Sequence, residues 1–382
     1  MDLKEKNTIF IQIASYRDPE LLPTIKNCIE NADNPENLTF CICWQHSDSE
    51  IECIDEYIND PRFIILSVPC KKTKGCCWAR HKVQQFYNDE TYTLQLDSHH
   101  RFVEGWDTKL IEMHKGLEEK GILKPLITSY IPSYNPENDP AERVQVPWEI
   151  DFDRMTHEGQ ILFRPKYVDH FKTLTEPVKG RFYSAHFAFA RGEFCKEVPH
   201  DPELYFTGEE MNITLRAYTY GYDVFHPHIV IAWHEYTRKN RVKHWDDDKE
   251  WWKKDQHSKK YYAQFIENLK TTTNNNNSNK YGLGTKRSVQ DYMKYAKLTI
   301  FSDEEYEDED KDKEKEEKEE KDQITITEKI EDKNKEYKTF DQSWRNWIKE
   351  NKDIGISKET IVNILVKANF APDEIEKEFN DT

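Results

Sequence analysis

The first hundred residues alternate strand and helix signals, and that order restricts the chain to a small set of folds. Thr8–Ala14 is a β-branched, apolar run that ends at Ser15-Tyr16-Arg17-Asp18-Pro19. Glu20 to Asn31 follows with apolar residues at 21, 22, 25 and 29, the spacing of a helix with one buried face. Leu38–Trp44 and Phe63–Val68 read as a second and a third strand, Gly75–Tyr87 as a helix, and Tyr92–Leu96 as a fourth strand. Strands alternating with helices predict an α/β fold, a parallel sheet covered on both faces, with the polar loops at the strand ends gathered along one edge. From about Pro125 to His200 the pieces are shorter and richer in Pro and Tyr, which predicts an irregular, partly antiparallel half. A helix over Gly208–Tyr220 and a strand over Ile229–Trp233 complete the unit.

The chemistry concentrates where the fourth strand stops, at Leu96-Asp97-Ser98-His99-His100. In an extended segment, side chains at i and i+2 point the same way. Asp97 and His99 are therefore predicted to share one ion, with His100 facing away. An oxygen plus an imidazole suits a divalent cation that also binds substrate phosphates, Mn²⁺ first and Mg²⁺ second. Taken alone, the same pattern also describes a strand followed by a polar turn.

Three other clusters add to it. Ser15 and Arg17 at the first strand end are expected to meet a base and ribose, with Arg17 available to a phosphate. Lys71-Lys72-Thr73-Lys74-Gly75 runs into a helix start, where anions are favoured, and Arg80 lies one turn in, within reach of a diphosphate. In Thr207-Gly208-Glu209-Glu210, a capping box from Thr207 to Glu210 accounts for one acid and leaves Glu209 for chemistry. His234 closes an apolar strand as Asp97 does, and is the candidate third ligand.

Charge excludes some partners. Net charge is −17, and residues 303–322, with 14 acids and 5 lysines, carry −9 of it. The remaining −8 and the lack of a basic stripe argue against nucleic acid. No run of about 18 apolar residues is present, so no membrane span is expected. The N-terminus is charged, without an apolar signal region. The eight cysteines lack paired C-x₂-C spacing. Free thiols and a cytoplasmic location are expected. An Asn-rich insert at 270–280 interrupts the main domain, and 303–336 reads as an acidic, lysine-rich linker. Residues 337–382 regain apolar periodicity and suggest a small three-helix domain, loosely similar to ubiquitin-associated folds, with a protein partner expected for it.

The succession IASYRDP, G-x-x-W-A-R (Gly75 to Arg80), LQLDSHHRF, TGEE and a strand ending in His resembles a glycosyltransferase of the GT-A type. More narrowly, it is similar to the cytoplasmic N-acetylglucosaminyltransferases that modify hydroxyproline on a ubiquitin-ligase adaptor, relatives of the mucin-type polypeptide GalNAc-transferases. Tyr281-Gly282-Leu283-Gly284-Thr285-Lys286-Arg287-Ser288-Val289-Gln290-Asp291-Tyr292 resembles that family's closing motif, so the resemblance runs over residues 8–302 of 382. It implies a Rossmann-like mixed sheet, a UDP-sugar donor (UDP-N-acetylglucosamine foremost) and a hydroxyl acceptor on a protein or glycan, with retention of configuration. Asp97 and His99 would then form the D-x-H metal motif and His234 the third ligand, so that Asp97 serves catalysis. Glu209 would contact donor or acceptor sugar, and Ser15, Arg17 and Arg80 would line the nucleotide site. In the GalNAc-transferases the Gly-Glu motif continues with Asn, where Glu210 stands here. Two rivals stay open: a binding module with a degenerate transferase site, and a metal-dependent phosphohydrolase, which usually needs more carboxylates than Asp97 alone.

Overall fold

The computed structural model describes residues 6–156, 160–237, 241–271 and 280–298, and part of 339–381. The chain divides into two compact units, Met1–Glu304 and Glu305–Thr382. The first begins β1 (Ile9–Tyr16), α1 (Leu21–Glu30), β2 (Leu38–His46), α2 (Asp55–Ile58), β3 (Phe63–Pro69), α3 (Cys76–Gln84), β4 (Tyr92–Leu96), β5 (His100–Phe102) and α4 (Trp106–Glu119). It continues with β6 (Pro125–Thr128), β7 (Trp148–Met155), β8 (Ile161–Tyr167), β9 (Val178–Lys179), β10 (Phe187–Arg191), α5 (Phe194–Glu197) and α6 (Glu209–Thr219). Last come β11 (Asp223–His226), β12 (Ala232–His234), α7 (His244–Asp247), α8 (Trp251–Thr271) and α9 (Val289–Ala296).

An eight-stranded sheet in the order β3-β2-β1-β4-β10-β6-β11-β9 forms the centre. The four strands expected from the first hundred residues pair in parallel. The wholly parallel sheet does not extend further, because β10 enters antiparallel between β4 and β6. Its sequence explains how it fits: Phe187 and Phe189 enter the core under α1 and α4, while Ala188 and Ala190 face the cluster built on α6. Both faces are covered, so period-2 alternation sorts residues between two cores rather than between core and water. In β1, Ile9, Ile11 and Ile13 go to one side and Phe10 to the other. In β2, Phe40 and Ile42 oppose Cys41 and Cys43, so Cys41-x-Cys43 is a pair of small apolar fillers beneath α3. Burial pushes the Cys43 thiol up to about 12, and the described cysteines are free.

Two expectations are corrected. The strand expected over Ile229–Trp233 is only Ala232–His234, because β12 pairs with β5, which is itself three residues long. The capping box from Thr207 does not form, since α6 starts from Gly208 at φ +86 with no side-chain cap. That left-handed φ, and Tyr262 lying where a Cβ would go, require glycine there.

In the second unit, Phe340, Ile348, Ile361, Leu365, Phe370 and Ile375 form a buried cluster, and Pro372–Asp381 is helical. The expected linker and residues 272–279 of the Asn-rich insert lie outside the described residues. No described helix is long and apolar enough to cross a membrane.

Candidate active site

Because β1 and β4 are parallel neighbours, the segments that follow them, Arg17–Asp18 and Asp97–His99, emerge at the same sheet edge. Residues 97–99 are not extended, as the i/i+2 argument assumed; the chain bends there before β5. The bend is imposed by α1. The Thr24 hydroxyl donates to the Ser98 carbonyl at 2.9 Å and accepts from the His100 amide at 2.9 Å. Asn27 Oδ1 accepts from the Phe102 amide at 2.7 Å, and Glu20 pairs with Arg101 at 2.6 Å. Glu20, which caps α1, and Thr24 and Asn27 within it are spaced i, i+4, i+7, so one stripe along the helix and its cap grips the whole loop.

His234 reaches the same place from the other end of the domain. Its backbone pairs with His100 across the β12–β5 ribbon, and its amide donates to the Pro132 carbonyl at 2.9 Å. Nε2 of His99 and Nε2 of His234 stand 3.7 and 3.5 Å from Asp97 Oδ2. One ligand atom from each of the three residues lies within 4.8 Å of the others, close enough to share an ion. Both ring nitrogens of His234 are buried without a hydrogen bond. Burial, reinforced by His99, holds its imidazole well below the usual histidine range, so a lone pair is available. These orphaned nitrogens beside a carboxylate fit a divalent cation. His100 lies outside this group and turns Nδ1 back to the Asp97 carbonyl.

Arg80 joins the two predicted acids. Its Nη2 donates to Asp97 Oδ1 at 2.6 Å and its Nη1 to Glu209 Oε2 at 2.5 Å. The Arg80 and Glu209 side chains are 5% and 4% exposed, while Asp97 keeps 25%. This is a buried ion chain with one open end. Burial alone would raise the Asp97 carboxyl, but Arg80 and the two imidazoles hold it well below the carboxylate range. Glu209 is likewise lowered against burial by Arg80 and by His200, whose Nδ1 lies 2.9 Å from Oε1. His200 is in turn fixed by Gln84, which accepts its amide at 2.7 Å.

The nucleotide-side residues are placed differently. Ser15 is fully buried in β1, its hydroxyl without a hydrogen bond. Arg17 takes a left-handed φ of +46 and spends its guanidinium on Glu50 (3.1 Å) and Asp247 (2.9 Å) rather than leaving it open. Tyr16 donates to the same Asp247 at 2.8 Å.

Sequence reasoning missed several residues. Arg241 Nη1 lies 2.5 Å from His99 Nδ1, 2.9 Å from His99 Nε2 and 3.2 Å from Asp18 Oδ2, and its Nη2 is 2.7 Å from Glu235 Oε2. It thus puts a cation beside the atom that would ligate a metal. His186 stacks on His234 with ring centroids 4.3 Å apart. Glu210 accepts from the Ala185 amide at 3.0 Å and from the Tyr130 hydroxyl at 3.3 Å. Burial, with the charge of Glu209 added, pushes its carboxyl from 4.5 up to about 7. Between those pH values only the folded chain keeps the proton, so Glu210 makes stability fall as pH rises through the window. Glu210→Gln should match the parent near pH 4.5 and exceed it above pH 7, by on the order of 2 kcal/mol. Urea midpoints across that range check this; parallel profiles would refute it.

No curated protein matches the chain. Among solved structures, GalNAc-T7 with UDP, GalNAc and Mn²⁺ is 14% identical with a TM-score of 0.49, covering 76% of this chain and 54% of its own. The chain thus spans about half the length of that relative. S. aureus TarS 1–349 in complex with UDP-GlcNAc is 11% identical with a TM-score of 0.39, covering 63% of this chain and 61% of its own. A family model described as Glycosyltransferase (GlcNAc) matches residues 8–63 and 55–302, a span that holds every strand end described above. The chain belongs to the Glycosyltransferase (GlcNAc) family.

Proposed function

We propose that the protein is a metal-dependent glycosyltransferase that moves N-acetylglucosamine from UDP-GlcNAc to a hydroxyl group on a protein or glycan. The observation that carries this reading is the convergence of Asp97, His99 and His234 within 4.8 Å, inside the span matched by the family model. The narrower kinship, with hydroxyproline-directed transferases, is supported by the IASYRDP, LQLDSHHRF and TGEE motifs and by the Tyr281–Tyr292 segment.

The three side chains would hold one divalent cation, Mn²⁺ foremost, which supplies Lewis-acid neutralisation of the diphosphate leaving group. Every other task falls to the chain itself. Arg80 occupies Asp97 Oδ1, which leaves Oδ2 as the oxygen nearest both imidazoles. Glu209 keeps Arg80 in that position, so its part is to orient the guanidinium rather than to attack the sugar. Buried His234 stays neutral and keeps a lone pair to offer. The family resemblance supports retention of configuration as part of this reading.

The test is release of UDP from UDP-GlcNAc, UDP-GalNAc, UDP-Glc and UDP-Gal, with Mn²⁺ or with EDTA. Release from UDP-GlcNAc above the other donors, lost in EDTA, is expected. Equal release in EDTA would remove the metal from the account. Nucleotide binding without release from any donor would make the chain a binding module.

A further inference from the structure

Asp18 stands in the motif read above as a nucleotide contact, yet its carboxylate points at a metal-ligand candidate. Its side chain is 3% exposed, and Oδ2 lies 2.7 Å from His99 Nδ1. The same oxygen accepts from the Ser98 hydroxyl at 2.7 Å and from Arg241 Nη1 at 3.2 Å. Oδ1 accepts from the Glu20 amide at 2.9 Å, which locks the carboxylate to the start of α1. Four donors from three parts of the chain thus converge on one side chain.

We propose that Asp18 is a positioning residue for the metal centre, holding His99 as the Nδ1–H tautomer so that the Nε2 lone pair faces Asp97 and His234. This rests on the metal reading above. Two groups meet Nδ1, the Asp18 carboxylate at 2.7 Å and Arg241 Nη1 at 2.5 Å; the guanidinium accepts nothing and the carboxylate has no proton to give, so the hydrogen shared with Asp18 sits on Nδ1. In a neutral imidazole the other nitrogen then carries the lone pair, and Nε2 is the atom 3.7 Å from Asp97 Oδ2. A carboxylate behind a ligating histidine fixes ring orientation and raises its basicity, and removing it typically costs about 10–100-fold in metal affinity. Thr24 secures the backbone on either side of His99, so ring orientation is the freedom left for Asp18 to remove.

The full chain, freed of metal, should be titrated with MnCl₂ alone by calorimetry as parent, Asp18→Asn and Asp18→Glu. Both variants are expected to bind about 10–100-fold more weakly than the parent. Asp18→Glu keeps the charge but moves the carboxylate by one methylene. Parent-like affinity in Asp18→Glu would show that charge alone matters and overturn the positioning role, as would parent-like affinity in Asp18→Asn. A second readout needs no metal. With ¹⁵N-labelled histidine, long-range ¹H–¹⁵N spectra should show His99 protonated at Nδ1 in the parent and lose that preference in Asp18→Asn. An Nε2–H parent tautomer would overturn the proposal even if Mn²⁺ binds. A parent that holds the Nδ1–H tautomer but binds no Mn²⁺ would instead sink the metal reading, and the role of Asp18 with it.

Discussion

Asp97→Ala is expected to lower metal-dependent sugar transfer by about 10²–10³-fold, the usual consequence of losing one preorganised electrostatic contact, while the protein stays folded. Asp97 is the one residue of the proposed triad with an anionic oxygen, and Oδ2 is the atom both imidazoles approach. Without it, only two imidazoles face a doubly charged ion. The fold survives for a specific reason. Asp97 is the open end of the ion chain, and Arg80 keeps Glu209 when Asp97 is gone. Backbone contacts of the loop, including the Asp97 amide to the His186 carbonyl at 3.3 Å, do not involve the lost side chain. Turnover at saturating Mn²⁺, with circular dichroism as the control for folding, decides the matter. Near-parental turnover in a folded variant would remove Asp97 from the mechanism.

Arg80→Met should act on stability as well as on turnover. Glu209 is 4% exposed, and its guanidinium partner supplies the strongest local counter-charge. Breaking a buried pair by removing one partner typically costs about 3–5 kcal/mol, because the remaining charge is left without compensation. His200 cannot substitute, since its own burial lowers its affinity for a proton. The sign with pH follows. In the parent, Glu209 is held below 4.5, so its contribution is present above that value and lost as pH falls through the lowered pKa. The deficit of Arg80→Met should therefore be full at neutral pH and shrink as the medium is acidified below about 4.5. Adding Glu209→Gln should recover part of it at neutral pH. Denaturant midpoints for the three proteins test this, and a deficit unaffected by both pH and Glu209→Gln would mean that lost packing, not charge, is the cause.

The sequence made the endpoints of the site legible because strand ends are local features. Asp97 and His234 each follow an apolar run that stops at a ligand-type residue, and Arg80 sits one turn into a helix that begins at a glycine. What joins them is not local. Arg80 meets Glu209 across 129 residues, and His99 meets Arg241 across 142. The His200 contact with Glu209 has no sequence mark. One local signal is polar: the apolar positions define α1, while Glu20 at its cap, Thr24 and Asn27 fix the Asp97–Phe102 loop. The i/i+2 argument pairs Asp97 with His99 through an extended strand, whereas a bend held by Thr24 brings the two side chains together. In the same way β10 is hidden in the Pro- and Tyr-rich half, because four residues of alternating Phe and Ala before Arg191 carry too little periodicity to announce a central strand.

The central claim, that Asp97, His99 and His234 jointly hold the cation on which sugar transfer depends, is tested most directly by diffraction. Crystals of the full chain grown with MnCl₂ and UDP-GlcNAc, measured for anomalous scattering from manganese, should show one peak ligated by all three side chains and by diphosphate oxygens. In that state Arg241 should have left His99 Nε2, because the ion and the guanidinium compete for the same atom. A manganese peak elsewhere, or UDP-GlcNAc bound in a turnover-competent crystal with Arg241 still on His99 and no ion among the three residues, would contradict it.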